Sequence, residues 1–166
     1  MTVRPVEPGD VDVVVGLVRE LADYEHSLDE ALMTPEQLRS ALFGGSPALF
    51  GHVALDPEGT VVGFALWFLS FSTWRGTHGV YLEDLYVSPA RRGTGLGREL
   101  LATLAAVCVE RGYARLEWSV LDWNTPSIDF YRAAGARPQD GWSVFRLTDR
   151  DGETALTDFA HGRTTR

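Results

Sequence analysis

Seven residues, Arg91-Arg92-Gly93-Thr94-Gly95-Leu96-Gly97, carry the clearest chemical signal in this 166-residue chain. Glycines let backbone N–H groups come close to ligand oxygens. The start of a helix presents unpaired N–H groups and a partial positive charge, so a glycine run opening a helical pattern is a site for an anion such as phosphate. The paired arginines add charge-assisted donors. Spacing separates the phosphate loops that compete here. An ATP loop needs Gly-Lys-Ser/Thr, yet all fifteen basic residues are arginine. A dinucleotide fingerprint wants a glycine three places after its second glycine, where Arg98 stands. Arg-x-x-Gly-x-Gly, here Arg92 to Gly97, is what remains. A second chemical feature lies just upstream, where Glu83 and Asp84 are neighbours inside a strand-like run. Strict alternation sends Tyr81, Glu83, Leu85 and Val87 to one face and Leu82, Asp84 and Tyr86 to the other, so only one of the two carboxylates faces a given cleft.

The elements that position these residues follow from periodicity and punctuation. Residues 3–6 read as a short strand and Asp10 as the N-cap of a helix to about Tyr24, with Val11, Val14, Val15, Val18, Leu21 and Ala22 on its apolar stripe. Thr34-Pro35-Glu36-Gln37 is a capping-box pattern, which starts a helix from Pro35 to about Phe43. Residues 49–55 and 60–71 form an antiparallel hairpin around the turn Asp56-Pro57-Glu58-Gly59. A loop over 72–79 leads to a strand over 80–87, then the glycine loop, and then a helix over 95–111 stopped by Gly112. A strand over 114–121, a short helix from about Thr125 to Ala134 and a last strand over 142–147 complete the pattern, with a polar tail beyond Arg150. The expectation is one domain over 1–166, core about 3–148, with a mixed α/β sheet flanked by helices.

Composition narrows the function classes. The net charge of −8 argues against nucleic acid as a partner and suits a cationic ligand. No apolar run reaches the ~18 residues of a membrane span and no basic-apolar leader opens the chain, so a soluble, cytoplasmic protein is expected. The single cysteine, Cys108, sits in an apolar run and reads as a small buried hydrophobe. His26, His52, His78 and His161 lack the paired spacing of a metal site, so no metal is expected; His78, placed in the loop over 72–79, is the one that could touch a substrate.

The glycine loop resembles the acetyl-CoA pyrophosphate loop of the GNAT acetyltransferase superfamily. The later run, with Asn124 opening a helix and Phe130-Tyr131 one turn before Gly135, is similar to that superfamily as well. The resemblance implies a mixed, mostly antiparallel GNAT-type sheet whose fourth and fifth strands splay to admit pantetheine. It also implies that acetyl-CoA is held by Arg92, Gly93, Thr94, Gly95, Leu96, Gly97 and Arg98, by the backbone of Leu85 and Val87, and by Asn124 and Ser127. Tyr131 is then the acid that protonates the departing sulfur.

Tyr81-Leu82-Glu83-Asp84-Leu85-Tyr86-Val87 closely resembles the corresponding run of the diamine (spermidine/spermine) and thialysine acetyltransferases. Agreement extends to Leu21-Ala22-Asp23-Tyr24-Glu25, Val62-Gly63-Phe64-Ala65, Trp74 and Trp123-Asn124. By that resemblance Glu83 accepts the amine proton, and Tyr24, Glu25, Trp74, Asp84 and Trp123 line the amine pocket. An aliphatic ammonium loses its proton at pH 7 at a cost of about 4.6 kcal/mol, which makes such a base useful. The resemblance also implies a homodimer. The sequence departs from the polyamine enzymes at Ser72, where they carry an acidic residue, and in a stretch from Trp74 to Glu83 that is one residue longer. A diamine, a polyamine or a thialysine-like amino acid all stay open as acceptors. Other readings are an acetyltransferase for an antibiotic or a peptide N-terminus, a non-catalytic acyl-CoA-binding module and a nucleotide-binding regulator.

Overall fold

The computed structural model describes residues 2–149 and 154–163, and these fall into two compact units that divide between Thr125 and Pro126. In the first unit β1 (Val3–Pro5), α1 (Val11–Tyr24), α2 (Pro35–Phe43), β2 (Phe50–Leu55), β3 (Val61–Ser72), β4 (Thr77–Val87), α3 (Leu96–Arg111) and β5 (Leu116–Glu117) follow in chain order. The strands form one sheet in the order β1-β2-β3-β4-β5, antiparallel except for the parallel β4–β5 pair.

The helices begin and end where the local chemistry dictates. Thr34 and Gln37 close a reciprocal cap on α2, with Gln37 N donating to Thr34 Oγ1 (3.3 Å) and Thr34 N to Gln37 Oε1 (2.9 Å). Helix α3 stops at Gly112, whose φ of 66° only glycine adopts without strain. At the start of α1 Asp10 holds the N-cap position as expected, but its side chain bonds elsewhere. Asp10 makes no side-chain cap; its carboxylate instead accepts two bonds from Arg4 (2.6 and 2.9 Å) and one from Glu7 N (2.8 Å). The Arg4 bond holds the Asp10 pKa below the usual carboxylate range and ties β1 to the start of α1.

The core sits on both faces of the sheet. Val53, Phe64, Leu66 and Tyr86 pack with Val11, Val14 and Leu17 of α1 and with Leu38 and Leu42 of α2. Alternate residues Ala65, Trp67, Val80 and Leu82 are buried on the opposite face, where α3 brings Leu100 and Leu104. On that face His52 is buried, its Nδ1 accepts from Trp67 Nε1 (3.2 Å), and desolvation lowers its pKa. Cys108 is buried, as its apolar setting implies.

Three sequence expectations fail around β4. The loop expected over 72–79 is a turn of four residues, because Ser72 pairs with Thr77 and Phe71 with His78; His78 is thus a strand residue set edge-on to Phe71. The strict alternation expected along β4 breaks. Leu66 pairs with Asp84 while its neighbour Trp67 pairs with Leu82, so Glu83 is the extra residue of a β-bulge. Adjacent residues of β3 face opposite ways and cross-strand partners share a face, so Leu82 and Asp84 lie on opposite faces and Glu83 and Asp84 need not diverge. The strand expected over 114–121 shrinks to Leu116–Glu117, paired only with Val80 and Tyr81. Beyond Tyr81 the outer edge of β4 has no strand partner among the described residues, and this is the splay of the fourth and fifth strands.

The second unit holds α4 (Thr125–Ala133), which starts one residue before the boundary, and α5 (Ala155–Ala160), a helix inside the tail that reads as merely polar. No strand forms over 142–147. A strand needs a partner edge, and here Trp142, Val144 and Phe145 stay exposed. Among the described residues no helix is long and apolar enough to cross a membrane.

Candidate acyl-transfer site

The glycine loop leaves β4 through Ser88 and turns into α3 at Gly95. Gly93 (φ 76°) and Gly95 (φ 93°) take backbone angles that side chains disfavour, and no neighbour comes within 4 Å of where a Cβ would sit on either. The first helical bond runs from Glu99 N to Gly95 O (3.0 Å), so the N–H groups of Leu96, Gly97 and Arg98 precede it and have no intrahelical acceptor. Thr94 Oγ1 donates to Arg91 O (2.6 Å). Arg91 itself is spent on structure, since its guanidinium bonds Asp56 (2.9 Å) and Glu58 (3.3 Å) and pins the loop to the β2–β3 turn.

Arg92 is oriented inward. Its Nε donates to Val87 O (3.1 Å), and its guanidinium carbon lies 4.8 Å from the Tyr24 ring centroid and 5.3 Å from that of Tyr86. Leu85 and Val87 lie on the splayed stretch of β4, paired on the inner side with Ala65 and Gly63.

The bulge sets the electrostatics. Glu83 is exposed, while Asp84 is partly buried on the face covered by α1 and α2. Burial first, then the charges of Glu83 and Glu25, push the Asp84 carboxyl up to about 6. Burial also raises Glu25, just past the end of α1. No arginine within residues 2–125 forms an ion pair with any of the three. Glu25 and Asp84, partly buried with no arginine paired to them within residues 2–125, are costly to keep ionised and favour a cationic ligand.

Tyr24 OH donates to Oδ1 of the buried Asn124 (3.3 Å), and its ring lies 6.0 Å from Trp123. Trp123 also stacks on His26 (5.8 Å), which takes a left-handed φ of 60°. The structure therefore brings together Tyr24, Trp123, Asn124 and Arg92, and separately Glu25, Glu83 and Asp84. It does not bring Trp74 to them. Trp74 caps the β3–β4 turn at 89 % exposure, and the six residue steps from Thr77 to Glu83 span roughly 20 Å of strand. Ser127 and Tyr131 belong to α4 in the second unit, where Tyr131 lies 5.2 Å from Phe130, ring to ring.

Sequence reasoning missed the bulge, His26, and the inward turn of Arg92 against Tyr86, whose OH donates to Glu20 (3.2 Å). Only the bulge left a sign: apolar residues at 80, 82, 85 and 87 change parity between 82 and 85.

Comparison with known proteins agrees with this architecture. The pattern of the Acetyltransferase (GNAT) family matches residues 16–136. The chain is 38 % identical over 155 residues to a thialysine N-epsilon-acetyltransferase of Bos taurus, covering 87 % of this chain and 91 % of that one. It is 38 % identical over 190 residues to an L-ornithine N5-acetyltransferase of Arabidopsis thaliana, covering 88 % and 83 %. Among solved structures, an integron cassette protein from the mobile metagenome of V. cholerae superposes with a TM-score of 0.77 at 25 % identity, covering 96 % and 98 %. An aminoglycoside acetyltransferase from a soil metagenomic sample shares the fold, with a TM-score of 0.72 at 19 % identity, covering 88 % and 95 %. With a glycine loop opening α3, a β4 edge that parts from β5 and a family match running through both, the chain belongs to the GNAT acetyltransferase family.

Proposed function

We propose that the protein transfers the acetyl group of acetyl-CoA to a primary amine of a small cationic substrate, by direct attack of the amine in a ternary complex. A diamine, a polyamine or a thialysine-like amino acid fits the reading. The observation that carries it is the group Glu25, Glu83 and Asp84, three carboxylates with no arginine paired to them within residues 2–125, two of them on the strand that feeds the glycine loop. The relatives named for thialysine and L-ornithine support the same substrate class. We take residues 1–166 as one catalytic domain, supported by a family match that continues past residue 125 to 136, and the active form as a cytoplasmic homodimer.

The chain's own residues suit acetyl-CoA. The N–H groups of residues 93–98 would hold the pyrophosphate, the backbone of Leu85 and Val87 the pantetheine, and Asn124 and Ser127 further polar atoms. When bound, acetyl-CoA supplies the thioester acetyl group. Glu83 takes the proton of the amine, directly or through water, because only the neutral amine has a lone pair to attack with. Glu25 and Asp84 hold the ammonium groups by charge, and Tyr24 and Trp123 add their ring faces. Tyr131 gives its phenolic proton to the departing sulfur. The reading needs no metal.

A thiol-release assay with putrescine, spermidine, lysine, ornithine and thialysine tests this. Release with at least one of them is expected. Acetyl-CoA binding in calorimetry without release from any amine would overturn the proposal in favour of an acyl-CoA-binding module.

A further inference from the structure

Arg92 belongs by sequence to the anion loop, yet its guanidinium faces the other half of the site. Three contacts hold it there: the Val87 carbonyl at 3.1 Å and the rings of Tyr24 and Tyr86 at 4.8 and 5.3 Å. Both rings lie within the ~6 Å at which a cation is drawn to an aromatic face. Tyr86 is the fixed member, only 5 % exposed and bonded through its OH to Glu20. Tyr24 is the dependent member, because it is the last residue of α1 and the next residue is Glu25. Beyond the Arg92 contact, Tyr24 is held by its bond to Asn124 Oδ1 and by Trp123. These contacts commit its Nε to the Val87 carbonyl and its planar face to the two rings, on the side of the amine pocket. The N–H groups of the loop carry no such commitment.

We propose that Arg92 is a positioning residue for the amine side of the reaction: held by Val87 O and stacked on Tyr24 and Tyr86, it fixes the end of α1, and with it Tyr24 and Glu25. The pyrophosphate is left to the backbone of the loop. The inference rests on the reading that Glu25 and its neighbours receive the ammonium group. It makes Arg92 the physical link between the cofactor loop and the amine pocket.

The test uses Arg92→Met, which keeps the stem and removes the charge; Arg92→Lys, which keeps the charge but loses the planar fork; Tyr24→Leu; and the Arg92→Met/Tyr24→Leu double variant. In Arg92→Met, acetyl-CoA affinity measured by calorimetry without amine is expected to stay within about threefold of wild type. The KM for the amine rises at least about fivefold, with kcat changed less. Arg92→Lys recovers part of the loss. Adding Arg92→Met to Tyr24→Leu raises KM no further, because the shared contact is already gone. A tenfold or greater loss of acetyl-CoA affinity in Arg92→Met overturns the inference, whatever the amine KM does. The unfolding midpoints of these proteins read the Arg92–Tyr24 contact with no substrate present. Losses that simply add in the double variant overturn the inference even where no amine is turned over, and that lack of turnover counts separately against the proposed substrate class.

Discussion

Replacing Asp84 with asparagine is expected to stabilise the protein at neutral and alkaline pH. Burial and the neighbouring charges of Glu83 and Glu25 move the Asp84 carboxyl from an ordinary 3.8 to about 6. That displacement corresponds to about 3 kcal/mol, carried by the folded state whenever the group is ionised. Between about pH 4 and 6 the folded protein keeps a proton that the unfolded chain has released. Stability contributed by this group is therefore present at low pH, falls as pH rises through that window and stays low above about 6. Glu25, raised by burial, acts in the same direction. Asparagine keeps the shape and removes the charge, so Asp84→Asn should exceed wild type by about 2–3 kcal/mol at pH 8, and the gap should close by pH 4. Urea unfolding at pH 4, 5, 6, 7 and 8 measures it. A variant less stable than wild type at pH 8, or a gap independent of pH, would refute the account of a desolvated, self-repelling carboxylate. If that strain serves to attract an ammonium group, the stabilised variant loses amine affinity, with a raised KM in the thiol-release assay.

Tyr131→Phe should lower turnover by about 100-fold or more while leaving acetyl-CoA affinity close to wild type; unchanged turnover removes Tyr131 from the mechanism. Gly95→Ala places a side chain at φ 93° in otherwise open space, so strain alone should lower stability by about 1–2 kcal/mol and weaken acetyl-CoA binding, both read by calorimetry. Thr34→Ala removes one half of the α2 capping box and should cost about 1 kcal/mol in urea unfolding with no change in acetyl-CoA affinity.

What could be read without a structure was local. Glycines before a helical pattern specify an anion loop, because positive φ and unpaired N–H groups are properties of a few consecutive residues. Thr34 and Gln37 specify the start of α2 for the same reason, being three residues apart on one turn. The parity change between Leu82 and Leu85 was also present in the sequence, and it marks a bulge only once β3 supplies the register that leaves Glu83 over. Asp10 stands at the N-cap of α1 as read, but its side chain makes no cap bond there, since Arg4 on β1 takes the same carboxylate with two charge-assisted bonds.

The sequence by itself therefore determined the local parts: a glycine loop opening a helix beside a mixed sheet, with carboxylates close by. Tertiary structure decided how those parts address one another. The β4–β5 edge opens after Tyr81 because the strands stop pairing there. Trp74 is carried to a hairpin tip because pairing continues to Ser72 and Thr77. Arg92 meets Tyr24 because α1 ends beside the strand that feeds the loop. Each of these depends on chain segments distant in sequence meeting at one register and one packing angle. Local propensity does not encode that, and only burial of the common core enforces it.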